Sequence, residues 1–280
     1  MADAAAAADA TGWTFATPEE EALGARFQGD GYVILPAEDL GALDRIRAEI
    51  ARLAAAALGV APPNDIAAFL NGIHKLVAPP RLNDLRLKVF NGLNAAPWLR
   101  PAYFATARQA IHALVGNELA MQRRVNLSIQ MPEDDSSLLP VHADVWDGDS
   151  PFEVVLWIPF VDCFQTKSMF ILPATADARL QAEMGRRFDR RSTDDLFAEI
   201  EPELRWIDIR YGEVLLFSQN LMHGNVVNRV PETRWTTNCR FKSLLSPYRG
   251  KRLGEFFEPI TIRPATRIGM EYRLPSGFSE

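Results

Sequence analysis

The sequence has little of what marks secreted or membrane-bound proteins. Its 280 residues include only two cysteines, Cys163 and Cys239, too few for a disulfide framework, which favours a reducing compartment. No apolar run reaches the roughly 20 residues of a membrane-spanning helix. The alanine-rich start carries Asp3 and Asp9 and lacks the basic segment of a signal peptide. We therefore expect a cytoplasmic protein with no membrane association.

An excess of positive charge is absent too. The chain has 36 acidic and 30 basic residues, a formal net charge of −6 and a pI near 5.4, which argues against a nucleic-acid-binding surface. Its length suits one large domain with a well-buried core. We expect a disordered tail over 1–16, mainly helical support over 17–121, a β-rich core over 122–248 and a C-terminal cover over 249–280.

Histidine is scarce as well, with four in the chain. His142 and Asp144 form an H-x-D triplet at the start of a strand-like segment, where side chains two apart point to the same side of the backbone. His223 follows a second strand-like run. Two histidines and one carboxylate make the facial triad that binds non-haem Fe(II) and leaves positions open for a co-substrate and O2. The sequence thus predicts a metal site of His142, Asp144 and His223, whereas His74 and His112 are expected to be ordinary structural residues.

Arg234 lies eleven positions past His223 (234 − 223), at the head of another strand-like run. A guanidinium is a rigid fork suited to a carboxylate, so Arg234 is our candidate for binding the co-substrate. Arg229 and Arg240 are rivals for the same role.

Residues 125–130 alternate apolar and polar side chains, as a half-buried strand does. Asn126, Ser128 and Gln130 would share one face, which points either into a cavity or to solvent. In the first case Asn126 and Gln130 are candidate contacts for the co-substrate, and Ser168 is a third.

A helical stretch over 174–203 interrupts the β-rich half, and an insertion between barrel strands is a usual place for an active-site lid. It contains the densest positive charge in the chain, at Arg186, Arg187 and Arg190. These arginines either form a solvated helix end or contact an anionic group of a substrate.

Five stretches between Phe27 and Tyr248 resemble the Fe(II)/2-oxoglutarate oxygenases of the phytanoyl-CoA dioxygenase-like branch. Within that branch the chain is similar to bacterial oxygenases of surface-polysaccharide and aminocyclitol antibiotic clusters. The stretches are FQGDGYVILPAEDL, LPVHADVWDGDSPFEVVLWIPFVDC, TKSMFILPA, YGEVLLFSQNLMHGN and RWTTNCRFKSLLSPY.

The resemblance implies an α+β fold: a double-stranded β-helix, which is a jelly-roll or cupin-like core, with N-terminal helices on its major sheet and a helical lid. It also implies Fe(II), O2 and 2-oxoglutarate as cofactors and co-substrates, with Arg234 pairing with the distal carboxylate of 2-oxoglutarate.

The activity implied is hydroxylation of a small polar substrate, most simply a sugar, a sugar nucleotide or an aminocyclitol. Because Asp144 is present, the halide-for-carboxylate exchange of related halogenases is not expected, whereas desaturation and ring closure stay open. Trp146 adds mild support for a carbohydrate, since aromatic faces suit sugar rings. The alternatives are a non-oxidative cupin-like sugar- or metal-binding protein and a metal-dependent isomerase or hydrolase.

Overall fold

Two antiparallel sheets dominate the computed structural model, which describes residues 14–184 and 192–276. The large sheet has the order β1-β7-β4-β9-β2-β10, and β3 pairs with the first half of β9 beside β2. The small sheet has the order β6-β5-β8. The strands are β1 Tyr32–Pro36, β2 Leu119–Gln122, β3 Asn126–Gln130, β4 Glu153–Pro159, β5 Phe170–Ile171, β6 Arg205–Trp206, β7 Glu213–Ser218, β8 His223–Gly224, β9 Arg234–Ser243 and β10 Phe257–Thr261.

Helices precede, interrupt and follow the strands. They are α1 Pro18–Asp30, α2 Leu40–Leu58, α3 Ile66–Asn71, α4 Pro79–Asn94, α5 Leu99–Ala105, α6 Arg108–Val115, α7 Ala174–Met184, α8 Thr193–Ile200 and α9 Pro264–Glu271. Short 3-10 helices span Ile73–Lys75, Asp144–Asp147 and Gln165–Lys167. Within the ranges described, none of these helices has both the length and the apolar character needed to cross a membrane.

The N-terminal helices cover one face of the large sheet. The apolar stripe of α2, which includes Ile46 and Ile50, belongs to the same buried cluster as Leu156 of β4 and Trp235 of β9. Tyr103 of α5 donates its buried hydroxyl to the carbonyl of Leu156 at 2.8 Å, which ties the helical layer to the sheet. The helices therefore pack on the major sheet, as expected.

The other face of the large sheet packs against the small sheet. Val155, Trp157 and Phe217 from the large sheet form a second buried cluster with Ile171 and Ile207. Since both faces of β4 are covered, all seven of its residues are buried. Two antiparallel sheets with a shared interior are the architecture expected of a double-stranded β-helix.

The insertion between β5 and β6 is helical, as predicted, with α7 and α8 on either side of residues that the structure does not describe. Ser192 caps α8, and its side chain exchanges hydrogen bonds with Asp195 in a capping box. Asp177 of α7 accepts a hydrogen bond from the backbone N–H of Met222, at 2.8 Å, so the insertion is anchored next to β8.

The C-terminal region differs from the irregular cover that was predicted. It contributes β10, which pairs with β2, and the helix α9. The register shifts between Pro259 and Thr261, as expected where a proline lies in an edge strand. As a result β9 is an interior strand of the sheet, with β4 on one side and β2 and β3 on the other. The predicted tail over 1–16 falls almost wholly outside the described residues.

The helical layer generates a stability prediction. We expect Ile50→Ala, at a position with no exposed surface, to lower the free energy of unfolding by about 2–5 kcal/mol because it leaves a cavity. Leu87→Ala, at a position that is 40% exposed in α4, should change it by less than about 1 kcal/mol. Urea denaturation of both variants checks this, and similar losses in the two would contradict the packing described.

Candidate metal centre and cavity

The three predicted metal ligands meet at one point. His142, Asp144 and His223 each offer one ligand atom, and these atoms all lie within 4.8 Å of one another. The Nε2 atom of His142 is 3.5 Å from Oδ1 of Asp144, and the two imidazole centroids are 4.3 Å apart. One face of a metal ion fits this arrangement, with the remaining positions open toward a cavity.

A backbone pairing brings the two histidines together. His142 and His223 form an antiparallel bridge in which each N–H donates to the other's carbonyl, at 3.0 and 2.9 Å. The strand predicted for His142 and Asp144 is wrong, because Asp144 already begins a 3-10 helix. The partner strand β8 has only two residues, so the backbone of His142 can pair with it but the backbone of Asp144 cannot. Ala143, between them, is extended.

Gly224 explains the close approach of these segments. A Cβ atom at this position would lie 2.8 Å from the carbonyl oxygen of Leu139 and 3.1 Å from that of Pro140. It would also lie 2.8 Å from Cζ of Phe170. Only glycine therefore lets the chain that carries His142 pass this close to β8.

The hydrogen bonds of the two imidazoles set their tautomers. Nδ1 of His142 lies 2.7 Å from the carbonyl oxygen of Pro140, and Nδ1 of His223 lies 2.8 Å from that of Leu221. Because a carbonyl only accepts, both Nδ1 atoms carry hydrogen and donate it. In the neutral form of each ring, Nε2 is then the nitrogen with the lone pair that binds a metal.

Electrostatics favour the metal-binding protonation states of two of the ligands. Burial, reinforced by the nearby His142, lowers the pKa of His223 to about 4, so that this ring is neutral at pH 7. Burial alone would raise the pKa of Asp144, but the hydrogen bond from His142 and the charge of Arg240 outweigh it and hold the pKa well below its usual range. Burial also opposes protonation of His142, yet hydrogen bonds to Asp144 and Pro140 leave its pKa raised.

Arg240 connects the centre to the C-terminal region. Its Nη2 donates to Oδ2 of Asp144 at 2.8 Å and lies 3.4 Å from Oδ2 of Asp149. Its Nε donates to Gln219 at 3.0 Å. Lys251 in turn lies 2.5 Å from Oδ1 of Asp149. Lys251 lies in the predicted C-terminal cover and also lines the cavity, a position that no local motif in the sequence indicates.

The open side of the triad faces a cavity of about 540 Å³. Its apolar wall is formed by Val155, Trp157, Met169 and Phe217, and its polar wall includes Asn126, Ser128, Asn238, Arg234 and Arg240. Trp157 belongs to a buried cluster, is 5% exposed and also lines this cavity. Thr193 at the start of α8 lines it too, so the helical insertion reaches the site.

Arg234 is the buried cation of this cavity. The residue is 3% exposed, and its guanidinium donates to the Ser168 carbonyl and the Ser128 hydroxyl, both at 3.2 Å. Its Nε is buried without a hydrogen-bond partner, and no acid in the described ranges lies within ion-pair distance. Burial lowers its pKa to about 10, which still leaves it charged at pH 7. The site thus holds a desolvated cation suited to an anion.

The two rival arginines are already paired. Arg229 is exposed and forms an ion pair with Glu133 at the surface. Arg240 is bound to Asp144 and Asp149 as described above. Neither leaves a free guanidinium facing the cavity in the way that Arg234 does.

The other predicted contacts divide into two groups. Asn126 lies on the cavity wall, where its amide donates to Asn238 at 2.9 Å. Gln130 and Ser168 lie beside Arg234 and do not line the cavity: Gln130 pairs with it in the β-ladder and donates to the Val226 carbonyl at 2.6 Å. The Ser168 hydroxyl is buried without a partner.

Trp146 does not occupy the predicted position against a substrate. It is 44% exposed and is not among the cavity-lining residues. In a 3-10 helix of three residues per turn, a residue two positions past Asp144 points to another face. Asp147, three positions past Asp144, does line the cavity, and the sequence interpretation missed it. Arg186, Arg187 and Arg190 lie outside the described residues.

No protein-family model matches the chain, and a search of curated proteins found no match. Solved structures do match. The non-haem monooxygenase ThoJ, in a nickel complex, has a TM-score of 0.55 and 16% identity over 87% of this chain and 85% of its own. HygX from Streptomyces hygroscopicus, with nickel and 2-oxoglutarate bound, has a TM-score of 0.53 and 16% identity over 85% and 90%.

EctD from S. alaskensis, with 2-oxoglutarate and 5-hydroxyectoine, has a TM-score of 0.55 and 17% identity over 84% of this chain and 80% of its own. At such identities the likeness defines the fold. The chain therefore shares the fold of these three proteins, one of them named a non-haem monooxygenase and two of them solved with 2-oxoglutarate bound, and this confirms the predicted α+β double-stranded β-helix. The resemblance to Fe(II)/2-oxoglutarate oxygenases is thus confirmed for the fold, and these structures do not single out the phytanoyl-CoA branch.

The glycine next to His223 generates a prediction about the metal site. Gly224→Ala should push the segment carrying His142 away from β8 and weaken Ni(II) binding by about tenfold or more, a typical effect of disturbing the support of a metal ligand. Isothermal titration with Ni(II) measures this. Gly24→Ala, where an added Cβ has nothing within 4 Å, is the matched control. Equal affinities in the two variants would contradict the steric argument.

Proposed function

We propose that this protein is a Fe(II)/2-oxoglutarate-dependent dioxygenase that hydroxylates a small polar substrate. The observation that carries the proposal is the convergence, in one cavity, of a two-histidine, one-carboxylate triad and a buried arginine that no described acid neutralises. The triad alone suits several metals and reactions. Arg234, which has no acidic partner among the described residues, favours a ligand that carries a negative charge. 2-Oxoglutarate carries two carboxylates and is such a ligand.

The residues present fit a ferrous ion. The Nδ1 atoms of His142 and His223 are engaged with carbonyls, so the Nε2 atoms are the ones that would bind the metal, with the metal taking the place of any proton on Nε2 of His142. Asp144 offers Oδ1, while its Oδ2 is held by Arg240. Nitrogen and carboxylate ligands on one face, with open positions opposite, are typical of non-haem Fe(II) sites.

The residues also fit 2-oxoglutarate. In this proposal Arg234 binds the carboxylate distal to the keto group, with Ser128 and Asn126 on the neighbouring wall. A buried charge gains most from a partner that completes its hydrogen bonding, and the free Nε of Arg234 supports this role. HygX and EctD, which share the fold, were both solved with 2-oxoglutarate.

When bound, ferrous iron with 2-oxoglutarate and O2 supplies oxidative chemistry that transfers an oxygen atom to a C–H bond of the substrate. The chain's own residues hold the reactants. Arg240 fixes Asp144 in orientation, and the backbone bridge fixes the two imidazoles. The wall formed by Val155, Trp157, Met169 and Phe217 is largely apolar and offers bound water few hydrogen-bond partners, which limits side reactions with water.

We further propose that the substrate is carbohydrate-derived: a sugar, a sugar nucleotide or an aminocyclitol. The support is the sequence resemblance, together with a cavity of about 540 Å³, which is the size of small-molecule sites. Hydroxylation is the expected outcome, and desaturation and ring closure are the oxidative alternatives. A non-oxidative cupin-like function and a metal-dependent isomerase are the alternatives that the following assay excludes or supports.

The proposal predicts uncoupled turnover. With Fe(II) and air, the wild-type protein should form succinate from 2-oxoglutarate, and His142→Ala and Asp144→Ala should each abolish it because two ligands do not hold the metal. His112→Ala, which removes a histidine outside the cavity, is the control. Succinate and O2 consumption are measured together. If the wild-type protein binds metal yet forms no succinate, the non-oxidative binding function is favoured. If it converts a substrate with Zn(II) in the absence of 2-oxoglutarate, the isomerase is favoured.

A second prediction concerns the arginine. Arg234→Ala should raise the dissociation constant of 2-oxoglutarate by at least about thirtyfold, since removing one partner of a buried, hydrogen-bonded charge pair costs roughly 2–5 kcal/mol. Arg229→Ala should leave it unchanged, because that side chain is exposed and paired with Glu133. Calorimetry on the Ni(II)-loaded proteins measures both. Unchanged affinity in Arg234→Ala would return the role to another arginine.

A further inference from the structure

Among the described residues that line the cavity, most charged side chains near the triad are paired with a charge of opposite sign. Arg240 lies 2.8 Å from Asp144 and 3.4 Å from Asp149, and Lys251 lies 2.5 Å from Asp149. Two cations are thus paired with two acids. Arg234, which also lines the cavity, is assigned to the co-substrate in the proposed function, so none of these three cations is free to bind an anionic substrate.

Asp147 is the remaining charged group on the cavity wall. It is exposed and lines the cavity, and within the described ranges its carboxylate makes no ion pair or side-chain hydrogen bond. An unpaired carboxylate at the entrance raises the local concentration of cations and repels anions. The cavity therefore favours a substrate with a positively charged group.

The 3-10 helix Asp144–Asp147 places this carboxylate beside the metal ligands. With three residues per turn, side chains at positions i and i+3 lie on the same face, and a rise of about 2.0 Å per residue separates them by about 6 Å along the axis. A group bound to Asp147 is therefore held one helical turn from the carboxylate that would bind the metal. Carbon atoms a few bonds from that group would lie close to the reaction centre.

We infer that Asp147 binds a protonated amine of the substrate and positions an adjacent part of the molecule at the metal centre. The inference rests on the proposed function and narrows its substrate class to small polar amines, such as amino sugars and aminocyclitols. It argues against substrates whose anionic group, such as a phosphate, lies at this wall of the cavity. The contact is a charge-assisted hydrogen bond from ammonium to carboxylate.

Three probes with the same ring and different charge test the inference: glucosamine, glucose and glucose 6-phosphate. Their binding to the full chain, loaded with Ni(II) and 2-oxoglutarate, is measured by titration calorimetry at low ionic strength. We expect glucosamine to bind at least about fivefold more tightly than glucose, the range of a partly exposed ion pair, and glucose 6-phosphate to bind most weakly. Added salt should reduce the difference.

The variant Asp147→Asn should remove the preference for glucosamine over glucose and leave the affinities for Ni(II) and 2-oxoglutarate within about twofold of wild type. Asp208→Asn, at an exposed aspartate outside the cavity lining, is the matched control and should keep the preference.

The inference is overturned if glucose or glucose 6-phosphate binds as tightly as glucosamine, if none of the three binds, or if Asp147→Asn keeps the wild-type order. In those cases 2-oxoglutarate still binds and the proposed function stands. A wild-type protein that does not bind 2-oxoglutarate would instead overturn the proposed function, and this inference with it.

Discussion

The backbone bridge between His142 and His223 is the constraint on which the metal centre depends. The two residues are 81 positions apart (223 − 142), yet each donates a backbone hydrogen bond to the other. Their side chains are thereby fixed by the main chain, before any metal binds. Gly224 makes this possible, because any larger residue would collide with the carbonyls of Leu139 and Pro140. The same bridge sets where the 3-10 helix begins, and so where Asp144 and Asp147 point.

Strand β9 links this centre to the core of the protein. Its side chains alternate between the two faces of the sheet: Trp235 and Phe241 pack into the helical layer, while Arg234 and Arg240 reach the cavity. β9 lies between β4 on one side and β2 and β3 on the other. Both arginines therefore stand on an interior strand, where Arg234 pairs with Gln130 of β3 and Arg240 with Val155 of β4. Functional groups on such rigid elements are held more accurately than groups on loops. The helical layer thus contributes to the site by stabilising the sheet.

The two arginines of β9 differ in whether a carboxylate of the protein neutralises them. Arg240 is bound to Asp144 and Asp149 and therefore acts on the geometry of a ligand. Arg234 is buried with only neutral partners among the described residues, an arrangement that costs free energy unless an anion binds. A site that is incomplete without its ligand is typical of binding pockets and differs from a structural ion pair.

The ligand residues could be predicted from the sequence, because scarce histidines, an H-x-D spacing and a downstream arginine are local signals. The alternating pattern of β3 and the strand-like run of β9 were local signals too. The position of Trp146, the roles of Asp147 and Lys251, and the central place of β9 were not, since each depends on which distant segments pair. Residue type and spacing thus determined which side chains are the candidate metal ligands and which arginine is the candidate for the co-substrate. The tertiary structure decided which charges of the cavity are paired and which are not. The ion pair of Lys251 with Asp149, for example, exists only once β-pairing has brought residues about 100 positions apart into contact.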